Sequence, residues 1–379
     1  MQILHYCARL NLEDGGVVRA VLDLTTALSP QINSITLMST SGTDWPLAES
    51  GVQIVQTGNF DKRPMRFSAK RLRLLSEHIE QADILHLHTA WEPANPQLAN
   101  IALKVGTPYV ISVHGMLDDW VMKTSTLKKK LFLALGGRTM FTKAASIHCT
   151  AQAEATQVRK RIKKANIDVV PLVFNPSQYL HPPSTSDPDK HWPSFDRTKP
   201  IILFLSRIHP KKGIERLIEA ASNLKGSHDV QFIIAGSGEQ KYETILKEKT
   251  LALGLESTVH FVGYVEGDRK TSLYRLADMF VLPTKQENFG IVFTEAMGCG
   301  LPVITTKGVD IWPELKDSNG ALIIQDNADA TTKAIQTLLD NPSQRIAMGH
   351  SAQQWVDQHF SGNTVACQYI DMYQKFINH

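Results

Sequence analysis

The sequence predicts an α/β protein made of two doubly wound, Rossmann-like parallel-sheet domains. Three observations predict it. The 379 residues exceed what one hydrophobic core usually supports. Short apolar strand patterns alternate with helical ones along the chain, which is the signature of parallel sheets with right-handed crossovers. The alternation breaks once, at a proline-rich stretch, and then restarts.

Taken in order, the first half offers strands at 2-QILHYC-7, 34-SITLMST-40, 52-VQIVQT-57, 83-DILHLH-88, 108-PYVISVH-114 and 146-SIHCT-150. Helical stretches lie between them, over Gly16 to Leu28, Phe67 to Gln81 and Leu127 to Lys143. The break is 175-NPSQYLHPPSTSDPDKHWPSFDRTKP-200, whose six prolines read as a linker or exposed connection. Strand patterns resume at 200-PIILFLS-206, 230-VQFIIAG-236, 259-VHFVGYV-265, 279-MFVLPT-284 and 302-PVITT-306. Domains are therefore expected over 1–174 and 200–360, joined by 175–199. In doubly wound sheets, ligands bind beyond the carboxyl ends of the strands, so the chemistry belongs there.

Composition suits a globular enzyme, at 42% hydrophobic and 20% charged residues, and excludes a disordered chain. The longest apolar runs are about five residues, so no segment reads as membrane-spanning, and Met1 to Leu10 lacks the shape of a secretory signal. Four separated cysteines without CxxC spacing fit a reduced, cytoplasmic protein. Residues 1–175 carry 20 Lys and Arg against 14 Asp and Glu, a balance of +6; the remainder carries 20 against 23, or −3. A basic first half suits an anionic surface or substrate, but is also common without one. No nucleic-acid-binding motif accompanies it.

Four clusters fall just after strands. In 204-FLSRIHPKKGIERL-217, Arg207 and Lys212 stand beside a helix start near Gly213, either as a diphosphate site or as an ordinary basic loop. In 281-VLPTKQENFGIVFTEAMGCGLPVITT-306, Glu287 leaves a strand. The amides of Phe289, Gly290 and Ile291 open a helix expected over Gly290 to Cys299. Glu295 is the only charge on that apolar helix, and ionised carboxylates are rarely buried without a partner. A shared polar group is expected between Glu287 and Glu295. Hydroxyls of a ribose and of a sugar would suit them, and a structural salt bridge at Glu295 is the alternative. In 12-LEDGGVVRA-20, Gly15 and Gly16 allow close backbone approach to a ligand or simply form a tight turn. In 112-SVHGMLDDW-120, His114 ends a strand, as a partner for a substrate hydroxyl or as a structural histidine.

Two other signals carry little. His86 and His88 share one strand face, but no nearby cysteine or carboxylate completes a metal set. Asp187-Pro188-Asp189 spells DxD inside the proline-rich connection and reads as solvated loop.

Together these clusters resemble the retaining glycosyltransferases of family four, the group 1 glycosyltransferases of GT-B architecture, and in particular bacterial polysaccharide-assembly members. The resemblance rests on Glu287-x7-Glu295 within ENFGIVFTEAMGCGLPVI, with 206-SRIHPKKG-213, 235-AGSGE-239, 261-FVGYV-265 and 274-YRLADMFVLPT-284 in the family's order. In the first half, 83-DILHLHTAWEP-93 and 111-ISVHGMLDDW-120 carry it.

The resemblance implies two Rossmann-like domains facing across a cleft, the first on the acceptor side and the second on the donor side, with 361–379 a helix returning to the first. It implies a hexosyltransferase that uses a UDP- or GDP-linked sugar, without metal or cofactor, on a saccharide or lipid-linked acceptor in surface polysaccharide assembly. Arg207 and Lys212 would hold the diphosphate, Glu295 the ribose and Glu287 the transferred sugar. Phe289, Gly290 and Ile291 would offer amides, Gly15 and Gly16 would approach the phosphate, and His114 would sit near the reaction centre. The basic, partly apolar stretch 123–143 would suit peripheral contact with the inner face of a membrane, or a helix packed on its own domain. One departure is the hinge, where 169-VVPLVFNPSQ-178 lacks the Asn-Gly pair of many relatives. Rival readings are a GT-B-shaped nucleotide-sugar epimerase, which lacks the paired glutamates, and a non-catalytic binding protein.

Overall fold

A computed structural model describes residues 1–11, 16–41, 51–58, 67–360 and 362–377. The chain divides into two units, Met1–Phe174 with Gly362–His379, and Asn175–Ser361.

In the first unit β1 (Gln2–Tyr6), β2 (Ser34–Ser39), β3 (Val52–Gln56), β4 (Ile84–His88), β5 (Tyr109–Ser112), β6 (Ser146–Cys149) and β7 (Ile167–Val169) form one sheet. Its order is β3-β2-β1-β4-β5-β6-β7, and every pairing is parallel. β1, β4, β5 and β6 are buried along almost their whole lengths, as strands covered on both faces must be.

The second unit repeats the plan with β8 (Ile201–Leu205), β9 (Gln231–Ala235), β10 (Val259–Gly263), β11 (Met279–Leu282), β12 (Val303–Thr306) and β13 (Ala321–Ile324), in the parallel order β10-β9-β8-β11-β12-β13. The strand order reverses between β1 and β4 in one sheet and between β8 and β11 in the other. These reversals are the switch points at which doubly wound sheets bind ligands.

The sequence patterns foresee eleven of these strands and miss β7 and β13. Both are edge strands with mostly half-exposed side chains; β7 is only three residues with Asp168 at its centre, whereas β13, ALII, is apolar throughout and was readable. The helix expected over Leu127 to Lys143 is broken. It runs Thr126–Phe132, widens into a π turn at Leu133–Gly137 with Gly136 at φ 117°, and resumes at Arg138–Lys143. The proline-rich connection is not a free linker. Its short helical turns pack within the second unit, where buried Trp192 donates to Ser272 Oγ at 2.8 Å and lies beneath Arg269.

The helix Gly362–Ile377 belongs to the first unit. Val365, Ala366, Tyr369, Met372 and Tyr373 form its buried stripe, at the spacing of one helix face. Among the described residues no helix is long and apolar enough to cross a membrane.

Candidate functional site

In the second unit, β8 and β11 deliver their C-terminal loops to the switch point. β8 leads to Arg207, which is exposed, and then to a 3-10 turn, Pro210–Lys212. His209 caps that turn, its Nδ1 accepting from the Lys211 amide at 3.2 Å. Burial, then Lys211, Arg207 and Lys212 hold the His209 imidazole below its ordinary value. The loop is tied to the exit of β11 by the Lys285 amide, which donates to the Lys211 carbonyl at 2.7 Å, and by Arg216 on the Pro283 carbonyl at 2.7 Å. Gly213 permits this approach. Its φ is +74°, and a Cβ there would lie 2.1 Å from the Pro283 oxygen.

The consequence is that Lys212, 2% exposed, meets Glu287 in an ion pair. Glu287 is itself fixed by its backbone. Its amide donates to the Gly308 carbonyl at 2.8 Å, and its carbonyl accepts from the Asp310 amide at 3.0 Å. Gly290, at φ +68°, turns the chain into the helix Ile291–Gly298. The Phe289 side chain is buried edge-on to Phe360, so only its backbone can serve a ligand. The amides of Phe289 and Gly290 meet no backbone acceptor among the described residues, and that of Ile291 begins a helix, where donors are free.

Glu295 is 6% exposed and has its own partners. Oε1 accepts from the Tyr179 hydroxyl at 2.8 Å and the Lys270 ammonium at 2.7 Å, and Oε2 accepts from the Tyr274 hydroxyl at 2.8 Å. The two glutamates therefore do not share one polar group, contrary to expectation; each has a separate lysine. Three of the roughly four acceptor positions of the Glu295 carboxylate are filled from the protein. Burial, then the Glu295 charge, raises the Tyr274 hydroxyl well above its ordinary value, and the same two causes push the Cys299 thiol up to about 12.

In the first unit, His114 follows β5 in a left-handed conformation, φ 48°, and is half-buried. Its Nε2 lies 3.2 Å from His88 Nδ1. The next amide, Gly115, donates to buried Glu154, which also accepts from the Thr150 amide at 2.6 Å and hydroxyl at 2.9 Å. Gly16 is exposed at the start of Gly16–Leu28, and a Cβ there would meet nothing within 4 Å. Gly15 lies outside the described residues. His86 and His88 gain a third histidine, His5 on β1, with ring nitrogens within 4.8 Å of one another. Both nitrogens of His86 are already hydrogen-bonded, to Tyr373 and Ser112.

Sequence reasoning missed Lys270, Tyr274 and Tyr179 around Glu295. Lys270 and Tyr274 are four residues apart on one helix, Gly267–Leu276, so their common face was readable; what it faces was not.

Residues 187–355 match the family described as glycosyl transferases group 1, and residues 15–172 match the glycosyl transferase 4-like domain. An uncharacterized glycosyltransferase of Methanocaldococcus jannaschii is 31% identical over 175 residues, 46% of this chain and 44% of the relative, so the match spans less than half of that protein. A GDP-mannose-dependent alpha-(1-6)-phosphatidylinositol monomannoside mannosyltransferase of Mycolicibacterium smegmatis is 26% identical over 82% of this chain and 81% of its own. Among solved structures, Anabaena HepE in complex with UDP superposes with a TM-score of 0.81 at 19% identity, covering 99% of this chain and all of that one. At that identity the likeness concerns the fold, which is GT-B.

Proposed function

The chain belongs to the group 1 glycosyltransferases, and from that membership we propose that it moves a sugar from a nucleotide diphosphate donor to an acceptor hydroxyl, retaining the anomeric configuration and using no metal. The observation that carries this reading is the ion pair of buried Lys212 with half-buried Glu287, in the loop that exposed Arg207 opens, at the switch point of the second sheet.

Breaking the bond between sugar and diphosphate develops negative charge on the leaving phosphate. Lys212 and Arg207 would stabilise that charge, each donor contributing about 3 kcal/mol in a site shielded from water. The amides of Phe289, Gly290 and Ile291 would add dipoles. Glu287, held by Lys212 in the free protein, would exchange that partner for sugar hydroxyls as the ammonium turns to phosphate. Glu295 keeps about one acceptor position for a ribose hydroxyl, and a second hydroxyl would replace Lys270. In the first unit the proposed contributors are Gly15 and Gly16, toward phosphate, and His114, toward a sugar oxygen.

The donor is proposed to be UDP- or GDP-linked. The mycobacterial relative is named for GDP-mannose, and the Anabaena structure is named for UDP. The acceptor is proposed to be a saccharide on an anionic lipid carrier, in surface polysaccharide assembly. A groove of about 1250 Å³ in the first unit supports this, because Trp91, Leu103, Phe132 and Leu135 line it together with Arg73, Lys104 and Lys128.

Calorimetric titration with UDP, GDP and ADP in metal-free buffer tests the donor half. One uridine or guanosine nucleotide should bind, and Lys212→Ala should weaken it. Binding of ADP alone, or equal binding by the variant, would remove the reading.

A further inference from the structure

Five histidines of the first unit, His5, His86, His88, His114 and His148, form two hydrogen-bonded lines that touch the proposed chemistry at only one end, His114. β1 sets His5 beside His86 of β4, and His88 stands two residues further on the same face. The first line runs from His148 to Tyr373, and one atom decides its polarity. His148 Nε2 lies 2.8 Å from the Val170 carbonyl, which can only accept, so the hydrogen of neutral His148 is on Nε2. His148 Nδ1 then accepts from Ser112 Oγ at 2.6 Å, Ser112 Oγ accepts from His86 Nε2 at 2.7 Å, and His86 Nδ1 accepts from the Tyr373 hydroxyl at 2.6 Å. Every ring nitrogen in that line has one partner and one role.

The second line lacks such a carbonyl. His5 Nδ1 lies 3.0 Å from His88 Nε2, and His88 Nδ1 lies 3.2 Å from His114 Nε2. At its inner end His5 Nε2 is buried and meets no partner among the described residues. Two arrangements satisfy both internal bonds. Either each neutral ring carries its hydrogen on Nδ1, pointing toward His114, or each carries it on Nε2, pointing toward His5. The second leaves an N–H at the orphaned nitrogen, and the first leaves only a lone pair there. Orphaned buried N–H groups are the rarer case in folded proteins, and an unmade donor bond costs its full desolvation. The inner end therefore selects hydrogens on Nδ1 throughout.

We propose that His5 and His88 are positioning residues that fix the hydrogen of His114 on Nδ1, so that His114 meets the substrate as a neutral hydrogen-bond donor and not as a base. This rests on the reading of His114 as a residue of the transfer site. The line also has no exit. A proton taken up by His114 and passed inward would leave a charged ring on His88 or His5, and among the described residues His5 Nε2 has nothing to pass it to. Burial opposes that charge: it holds His5 to about 3, and burial, then the nearness of the His148 ring, does the same for His114.

The test is histidine-selective ¹⁵N NMR on the full chain at pH 7, with His114 assigned by its loss in His114→Gln. The expected spectrum has His114 hydrogen-bearing at Nδ1 and bare at Nε2. In turnover, His88→Phe should lower kcat about tenfold to a hundredfold, the usual cost of losing an orienting partner, with little change in donor KM. His88→Asn, whose amide can donate from nearly the same point as Nδ1, should recover much of it. A His114 hydrogen on Nε2 overturns the proposal, as does unchanged kcat in a folded His88→Phe. Zinc or nickel bound between His5 and His88 would overturn it as well, because the metal would take the place of the hydrogen that His5 Nδ1 holds toward His88 Nε2. If the native protein turns over no nucleotide sugar, the functional reading fails, and the spectrum still decides the tautomer.

Discussion

Lys212 and Glu287 form an ion pair across the switch point of the second sheet, and its halves are unequally buried: the lysine side chain is 2% exposed and the glutamate 22%. That asymmetry predicts unequal mutants. Glu287→Ala leaves an ammonium with no counter-charge in a buried place, a loss of about 3–5 kcal/mol for a buried pair broken on one side. Lys212→Met leaves a carboxylate that water can reach, so the loss of stability should be smaller. Activity should order the other way, with Lys212→Met lowering kcat about a hundredfold to a thousandfold. Thermal melts beside donor turnover check both orders. Equal melting temperatures for the two variants would mean that Lys212 finds another partner.

Glu295 offers a second asymmetry, between holding the fold and holding a ligand. Tyr274→Phe removes one donor to Oε2 and should cost about 1.5–3 kcal/mol, the range for a hydrogen bond to a charged group. It leaves the carboxylate in place, so nucleotide affinity should change little. Glu295→Gln removes the charge that Lys270 faces, and should lower both stability and nucleotide affinity. A Gln variant that melts early yet binds nucleotide as the parent does would assign Glu295 to structure alone.

These two carboxylates also mark how far the sequence could be read. Central strands such as IILFL at β8 were plain, because burial on both faces makes them continuously apolar; the edge strand β7, with Asp168 between two aliphatic residues, was not. Glu287 and Glu295 stood out as charges beside apolar runs, and Lys212 as a cation after a strand. Their partners did not stand out. Lys212 and Glu287 are 75 residues apart, and Tyr179 and Glu295 are 116 apart, in a stretch that composition alone marks as linker. Likewise His86 and His88 gave no hint of His5, because only the pairing of β1 with β4 brings it alongside. Residue type and spacing reveal which groups need a partner, and the crossover connections decide which partner they find.

The histidine lines predict how stability follows pH. Burial lowers His5 and His114 to about 3 and His148 to about 4, and it holds His86 and His88 well below the ordinary value of 6.5. The unfolded chain therefore binds more protons than the folded one between those values and 6.5, so stability rises with pH across that window and is fully present above it. As pH falls through 6.5, each histidine removes about 1.4 kcal/mol per pH unit. Urea midpoints measured from pH 7.5 down to pH 5 should drop steeply, and less steeply in His5→Phe. A flat profile would mean that the folded protein already carries these charges.

Gly213 predicts a defect at the site from a single methyl group. Its φ of +74° and its approach to Pro283 draw the Lys212 turn against the exit of β11. A Cβ would lie 2.1 Å from the Pro283 oxygen and 2.7 Å from Arg216 Nη1. The arginine can swing away, but the carbonyl belongs to the backbone that leads to Glu287. Relief therefore has to come from separating the two loops, which pulls Lys212 from Glu287. Gly213→Ala should accordingly lose nucleotide affinity as well as stability. Gly226→Ala, at φ +84° with nothing within 4 Å of its Cβ, carries similar backbone strain without that clash and should lose stability alone. If both variants bind nucleotide equally well, the close approach at Pro283 does not position Lys212.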